Sequence, residues 1–449
     1  MLKNWSRIAL ASFLVLMLGA TLANATTSRV RSLANTGDYI SDDSAVNRWY
    51  STLTSFSNQV NVELGTWGAW GDPTAPNVTD LGNTRGMGWI HACGEDGKWG
   101  TYRISLNENA LDNPGFWIGN PFYSVHVPGA AGTLGLPGPG AAIYADTPLN
   151  KWDLAGAWEL GESISLGLSV TQSKWSYENS DPDGIPATAD AIDASNSFFT
   201  VGAGFTWTNN ENMVFDAAVT YGKAGGDVAY GALTSEWDSG TAFDIAARLF
   251  YDWKDYVTLV PMAEYATSEY SLSTDANNPI DSPNGDKVND MLVGLGVNMD
   301  VNQDNMLVFA LEWMNRSWEY ANPDTAQASM DKTTWNYLPT IRLALESHVT
   351  SWLTTRVGAA KYLGSKKVET IGGDEVKDTP GTPQPLFTPS ETVDGFDWFL
   401  GCGFNVAEWT IDLELAHETP FNLGYWLTGY SNYETSAGPV GRISAVYNY

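Results

Sequence analysis

"GRISAVYNY", Gly441–Tyr449, alternates without a break. Arg442, Ser444, Val446 and Asn448 fall on one side, and Ile443, Ala445, Tyr447 and Tyr449 on the other. A two-residue period marks a strand with unlike faces. Two kinds of chain carry such a strand. A soluble sheet tucks its greasy side against a core, whereas a membrane barrel turns it to lipid and keeps the other side for a polar interior. The rest of the chain has to choose.

The opposite terminus narrows the choice. "MLKNWSR" carries Lys3 and Arg7, Ile8–Leu22 is an apolar run, and Ala23, Asn24 and Ala25 are small residues of the kind that precede a cleavage site. This three-part pattern predicts a secretory signal over residues 1–25. The apolar run is shorter than the roughly 20 residues a spanning helix needs. No Cys follows the site, so no lipid anchor is expected. Beyond Ala25, Gly, polar or charged residues interrupt every apolar run, as they do both in an exported soluble protein and in a transmembrane barrel.

The chain has 23 Lys+Arg against 52 Asp+Glu, a net charge of −29. Removing the leader takes away only Lys3 and Arg7, which makes the balance more acidic still. Such a charge argues against a nucleic-acid partner, whose phosphates demand basic surface. Twenty Trp and 20 Tyr suit membrane interfaces, and 44 Gly suit sheet bends and close strand approach. Cys93 and Cys402 lie far apart; they form no metal motif, and the sequence leaves open whether they pair.

From about Lys151 onward, strand patterns follow one another. Phe215, Ala217, Val219 and Tyr221 alternate with Asp216, Ala218 and Thr220. Phe243, Ile245, Ala247 and Leu249 alternate with Asp244, Ala246 and Arg248. Leu307, Phe309, Leu311 and Trp313 oppose Glu312 and Arg316, while Ile341, Leu343 and Leu345 oppose Arg342, Ala344 and Glu346. Ile411, Leu413 and Leu415 oppose Asp412 and Glu414. No segment shows the three-to-four-residue spacing of a helix, and Pro261 and Pro339 disfavour helix interiors. Short connections near Gly161, Asn210, Trp253, Asn302, Val349 and Ala407 alternate with long ones centred on Asp183, Gly226, Asn278, Asp324, Pro380 and Tyr430. Barrels of the outer membrane show this asymmetry.

Thirteen strands fit between Lys151 and Tyr449, and Gln59–Gly68, Thr84–Ala92 and Trp99–Asn107 add three. The expected fold is therefore all-β: a transmembrane antiparallel up-and-down β-barrel of about 16 strands, with 14 the alternative, preceded by a short plug-like segment. The expected divisions are a signal peptide (1–25), an N-terminal periplasmic or plug segment (26–58) and the barrel (59–449). Asn109–Ala145, rich in Gly and Pro, reads as a large loop over or into the pore. "GRISAVYNY" becomes the closing strand, which pairs with the first to abolish a free edge. Its alternation and terminal aromatic resemble the C-terminal signal of outer-membrane barrels, which implies recognition by the barrel assembly machinery.

The faces predicted to point inward carry Glu63, Asp216, Asp244, Arg248, Glu264, Glu312, Arg316, Arg342, Glu346, Arg356, Asp412, Glu414 and Arg442. As pore-lining residues they would set selectivity; as cross-strand ion pairs they would brace the lumen. Both readings stand at this point. No chemistry of an enzyme is legible. There are four His (His91, His126, His348 and His417), and no Gly-x-Ser-x-Gly motif. "DPDG" (Asp181–Gly184) and "STDANN" (Ser273–Asn278) lack a full calcium-loop spacing. No cofactor or metal is expected.

"SRVRSLANTGDYISDDSAVNRWYSTLTSFSNQVNVELG" (Ser28–Gly65) resembles the start of the long-chain fatty-acid transport porins. In that family a small-residue and Gly stretch and an Asp-rich turn precede an Asn-Pro-Ala segment and the first strand. "LANTGDYISDDSAVN" (Leu33–Asn47) and "QVNVELG" (Gln59–Gly65) match in outline, whereas "RWYSTL" stands where Pro-Ala would follow Asn47. The resemblance implies a segment that plugs the barrel from the periplasmic side, and a path for hydrophobic ligands. The expected function is passage of small solutes or hydrophobic compounds across the outer membrane, with membrane lipids as partners. The alternative is a barrel that transports nothing and serves structure or surface interaction.

Overall fold

The computed structural model describes residues 26–65, 85–94, 97–108, 150–179, 192–209, 212–230, 233–272, 286–321, 330–371, 391–415 and 440–449. The leader, Asn109–Ala145, the two acidic calcium-like stretches and His417 lie outside them. The described residues form sixteen strands. They are β1 (Gln59–Gly65), β2 (Arg85–Ala92), β3 (Thr101–Glu108), β4 (Asn150–Glu159), β5 (Ile164–Asn179), β6 (Ile192–Asn209), β7 (Met213–Tyr230) and β8 (Leu233–Lys254). They continue as β9 (Val257–Leu272), β10 (Asp286–Asn302), β11 (Asn305–Ala321), β12 (Met330–Thr350), β13 (Leu353–Ile371), β14 (Glu391–Val406), β15 (Trp409–Leu415) and β16 (Val440–Asn448). Each strand pairs antiparallel with its chain neighbours. The ring closes where β1 meets β16, with Gln59 opposite Asn448 and Gly65 opposite Arg442. A closed sheet leaves no unpaired edge.

The strand count and the closing partner agree with the alternation read from the sequence. One connection does not. The long loop expected around Gly226 is strand instead: β7 runs on to Tyr230, and two residues separate it from β8. Gly225 and Gly226 sit in a register irregularity between Ala224 and Asp227. A glycine pair inside a strand marks a bulge as readily as a turn. Cys93 and Cys402 are free thiols.

The barrel is apolar outside, and inside it charged and hydroxyl side chains alternate with apolar patches. Ile104, Leu154, Leu168, Val201, Ile245, Val293, Leu311, Leu343, Val357 and Ile443 are exposed, on ten different strands. Their alternates Asp153, Ser169, Thr200, Asp244, Arg342, Glu346 and Arg442 are buried. A ring of exposed aliphatic side chains is far larger than the apolar patches water-soluble monomers show. Trp99, Trp253, Tyr256, Trp352, Trp409 and Tyr449, all exposed, mark the end of the barrel that carries the short turns. The apolar core lies within the ring. Leu33, Tyr39 and Ile40 pack with Val260, Met262, Val308, Ala310 and Ala344 of the wall.

Candidate functional site: the occupied barrel interior

Residues 26–58 supply that core's other half. Helix α1 (Thr27–Ser32) is capped by Thr26, whose side chain accepts from the Arg29 backbone N–H at 3.3 Å. Short 3-10 turns follow at Gly37–Tyr39, Asp43–Asn47 and Tyr50–Phe56. Ala34 and Asn35, with φ of 58° and 57°, reverse the chain after α1. The compact path lets one short stretch reach strands all around the ring.

Three groups of charges fasten it. In the first, the Arg29 guanidinium donates to both carboxylate oxygens of Glu346, at 2.7 and 2.8 Å, and to Asp42 at 3.1 Å. Arg356 bonds the same Glu346 at 2.6 Å and Asp412 at 2.6 Å, and the Thr26 hydroxyl donates to Asp412 at 2.9 Å. Arg31 reaches Glu414 at 3.1 Å, and the Ser28 and Ser444 hydroxyls meet at 2.5 Å. Strands β12, β13, β15 and β16 are thereby tied to α1.

In the second group, Arg48 pairs with Glu264 at 2.8 Å and with Asp244 and Asp38 at 3.5 Å each. The Trp49 ring lies against the Arg248 guanidinium, 4.5 Å away, and Arg248 bonds Asp216 at 2.9 Å. Arg248 also donates to the backbone carbonyls of Gly37 and Asp38. In the third, Arg342 holds Glu312 at 3.0 Å and the Ala34 carbonyl at 2.8 Å. Arg103 donates to Asn47, Asn298 to the Tyr39 carbonyl, and Tyr50 meets Thr220. Buried ion pairs of this quality cost desolvation to form, so they hold geometry more than they add stability; breaking one is costly.

The wall is shaped to match. A Cβ on Gly167 would stand 2.3 Å from the Tyr50 carbonyl carbon, on Gly296 2.4 Å from the Tyr39 ring, on Gly358 2.6 Å from the Ala34 nitrogen, and on Gly401 2.4 Å from Ser32. Any larger residue at these positions collides with the segment.

All thirteen inward candidates stand on the inner face. Glu346, Arg356, Asp412 and Glu414 join the first group, Asp244, Glu264, Asp216 and Arg248 the second, and Glu312 and Arg342 the third. Glu63 accepts from Ser444 at 3.3 Å and Arg442 is buried nearby. Arg316 pairs with Asp290 at 2.7 Å. Sequence reading missed the segment's own half of these pairs: Arg29, Arg31, Asp38, Asp42 and Arg48. Their signal was charge of both signs within a stretch of small residues.

Asp43 differs from these. It is buried and has no ion pair among the described residues. Burial pushes its carboxyl well above the usual carboxylate range, Asp42 and Asp412 push the same way, and Arg29 opposes them. Among the described residues no group of His, Cys, Asp and Glu could hold a metal ion.

No family model and no curated protein sequence matches the chain. Solved structures similar to it include the alcaligin outer-membrane receptor FauA of Bordetella pertussis, at 11% identity and a TM-score of 0.40, which covers 80% of this chain. The chain spans 60% of that receptor's length. The toluene transporter TodX of Pseudomonas putida is 9% identical with a TM-score of 0.38, covering 95% of this chain and 98% of its own. CdiB of Escherichia coli is 9% identical with a TM-score of 0.40, covering 87% of this chain and 62% of its own. At such scores no residue role carries across.

Proposed function

We propose that the chain is an outer-membrane channel, exported with removal of residues 1–25, whose residues 26–58 stop the lumen until they are displaced. The observation that carries this is the dense fastening of the segment to the inner wall by ion pairs, hydroxyls and apolar contacts. A barrel that served only as a rigid body could fill its interior with wall side chains. Here the filling is a separate piece of chain, seated on glycines and held by charges. Small solutes are the proposed cargo, since the inner wall offers paired charges and hydroxyls rather than a continuous apolar track. The exposed aliphatic ring would contact lipid, with aromatics at its edge. The closing strand β16 would serve assembly.

The filled interior equally supports a barrel that transports nothing. Conductance in a planar bilayer decides between them. The channel reading expects a nearly silent intact protein and steady current steps from a variant with the first charge group weakened, such as Glu346→Gln with Asp412→Asn. Silence from that variant, once it is shown to be inserted with the segment unseated by protease access, favours the non-transporting barrel.

A further inference from the structure

Beyond the segment, toward the end with the long connections, the inner wall changes character. A register shift between Tyr337 and Thr340 turns Tyr337 and Trp335 to the same inner face as Tyr362 and Lys366. All four side chains are half-buried. The Tyr337 and Tyr362 rings meet edge to face with centroids 6.2 Å apart. Each leans over a glycine of the next strand: Tyr337 over Gly364 and Tyr362 over Gly395, where an added Cβ would stand 2.8 and 3.3 Å from the rings. The Lys366 ammonium lies 6.0 Å from the Trp335 ring, and the Arg342 guanidinium 5.8 Å from that of Tyr362. Asp397, exposed, stands on the same face of β14 two residues from Gly395. Among the described residues no hydrogen bond joins Trp335, Tyr337 or Tyr362 to the N-terminal segment.

We infer that this patch is a binding subsite for an uncharged polyhydroxy ring, a sugar, on its way through the lumen. The inference rests on the channel reading for its purpose but not for its chemistry. Aromatic faces beside a few fixed polar groups make up the usual lining of a small-molecule site. Rings of Tyr and Trp offer flat apolar surface with a polar tip, which suits a solute whose ring faces carry C–H and whose rim carries hydroxyls. Charges of both signs, Lys366 and Asp397 with the Arg342–Glu312 pair below, supply donors and acceptors. A hydrocarbon would strip water from these groups and return no hydrogen bond. An anion would approach a chain of net charge −29 and an exposed Asp397. Arg342 links the subsite to the segment, because it touches Tyr362 on one side and donates to the Ala34 carbonyl on the other.

The test is equilibrium binding of maltose and glucose to the full chain in detergent, beside benzoate and toluene, by calorimetry. Saturable maltose binding is expected. Trp335→Ala and Tyr362→Ala should each weaken it about tenfold, and Tyr362→Phe should keep most of it; heat-modifiable gel migration shows that each barrel is closed. No saturable sugar binding, or sugar binding indifferent to both alanine variants, overturns the proposal, and tighter binding of benzoate or toluene overturns its ligand class. Conductance of the Glu346→Gln, Asp412→Asn variant separates the two ideas. Current without sugar binding sinks the subsite alone, and sugar binding without current sinks the channel and leaves the subsite standing.

Discussion

Arg29 grips Glu346 with two parallel hydrogen bonds, of 2.7 and 2.8 Å, across 317 residues of chain. One partner belongs to the stretch before the first strand and the other to β12. The bidentate fit is the geometry at which Arg surpasses Lys. Both side chains are almost wholly buried, so neither has water to fall back on.

Arg29→Ala should therefore unseat the segment rather than unfold the barrel. Leaving Asp42 buried without its cation, and Glu346 with Arg356 as its remaining one, costs on the order of 3–5 kcal/mol. Protease cleavage between α1 and β1 should rise sharply while heat-modifiable migration stays normal. Arg29→Lys should fall between wild type and Ala. Unchanged protease resistance in Arg29→Ala would show that the other charge groups hold the segment alone.

Gly358→Leu attacks the same contact from the wall. Its side chain would collide with the Ala34 backbone, which cannot rotate away. The expected outcome is a closed barrel with an accessible segment and raised conductance. Gly161→Ala is the control for adding a side chain, since none of the described residues lies within 4 Å of that site; its φ of +82° makes it mildly strained but far from the segment. Equal accessibility in both would remove the fit of wall to segment as the cause.

The seating should weaken as pH rises, through Asp43. A carboxyl whose value inside the barrel is raised holds a proton that the released segment gives up. Its contribution is full below the ordinary value of 3.8 and is lost as pH climbs from there through the raised value. Asp43→Asn should flatten this part of the profile, read as protease access between pH 4 and 9. A variant that keeps the wild-type slope would assign it elsewhere.

Leu311→Arg and Leu343→Arg place a charge on the outer apolar ring, where about 2–4 kcal/mol is lost at mid-membrane. Folding into lipid vesicles should suffer. Ser444 is a poor inner-face control, because it is 1% exposed and bonded to Ser28. Asp397→Arg, on an exposed inner position, serves instead and should insert normally. Equal insertion of all three would reverse the assignment of faces.

The sheet was legible because its rule is local. Each strand advertises itself by alternation, and Ile443 against Arg442 needs no partner to be read. The exception at Gly226 shows the limit of that rule, since glycine punctuates loops and bulges alike. What fills the ring was not legible in the same way. Arg29 finds Glu346, and Ser28 finds Ser444, across more than 300 residues, and no spacing encodes such pairs. The inward carboxylates and guanidiniums could be named from the strands that bear them, whereas their partners lay in a stretch without periodicity.

Asn58 joins the segment to β1 in a left-handed turn (φ 60°). Its side-chain oxygen accepts from the Ala92 backbone, and its carbonyl accepts from the Tyr449 N–H. If residues 26–58 stop the lumen as proposed, the stopper is a leash pinned at the seam where the ring closes. Release and return are intramolecular, at an effective concentration set by the leash and, for short flexible tethers, in the millimolar range. Resealing should then be first-order and independent of how much protein the membrane holds.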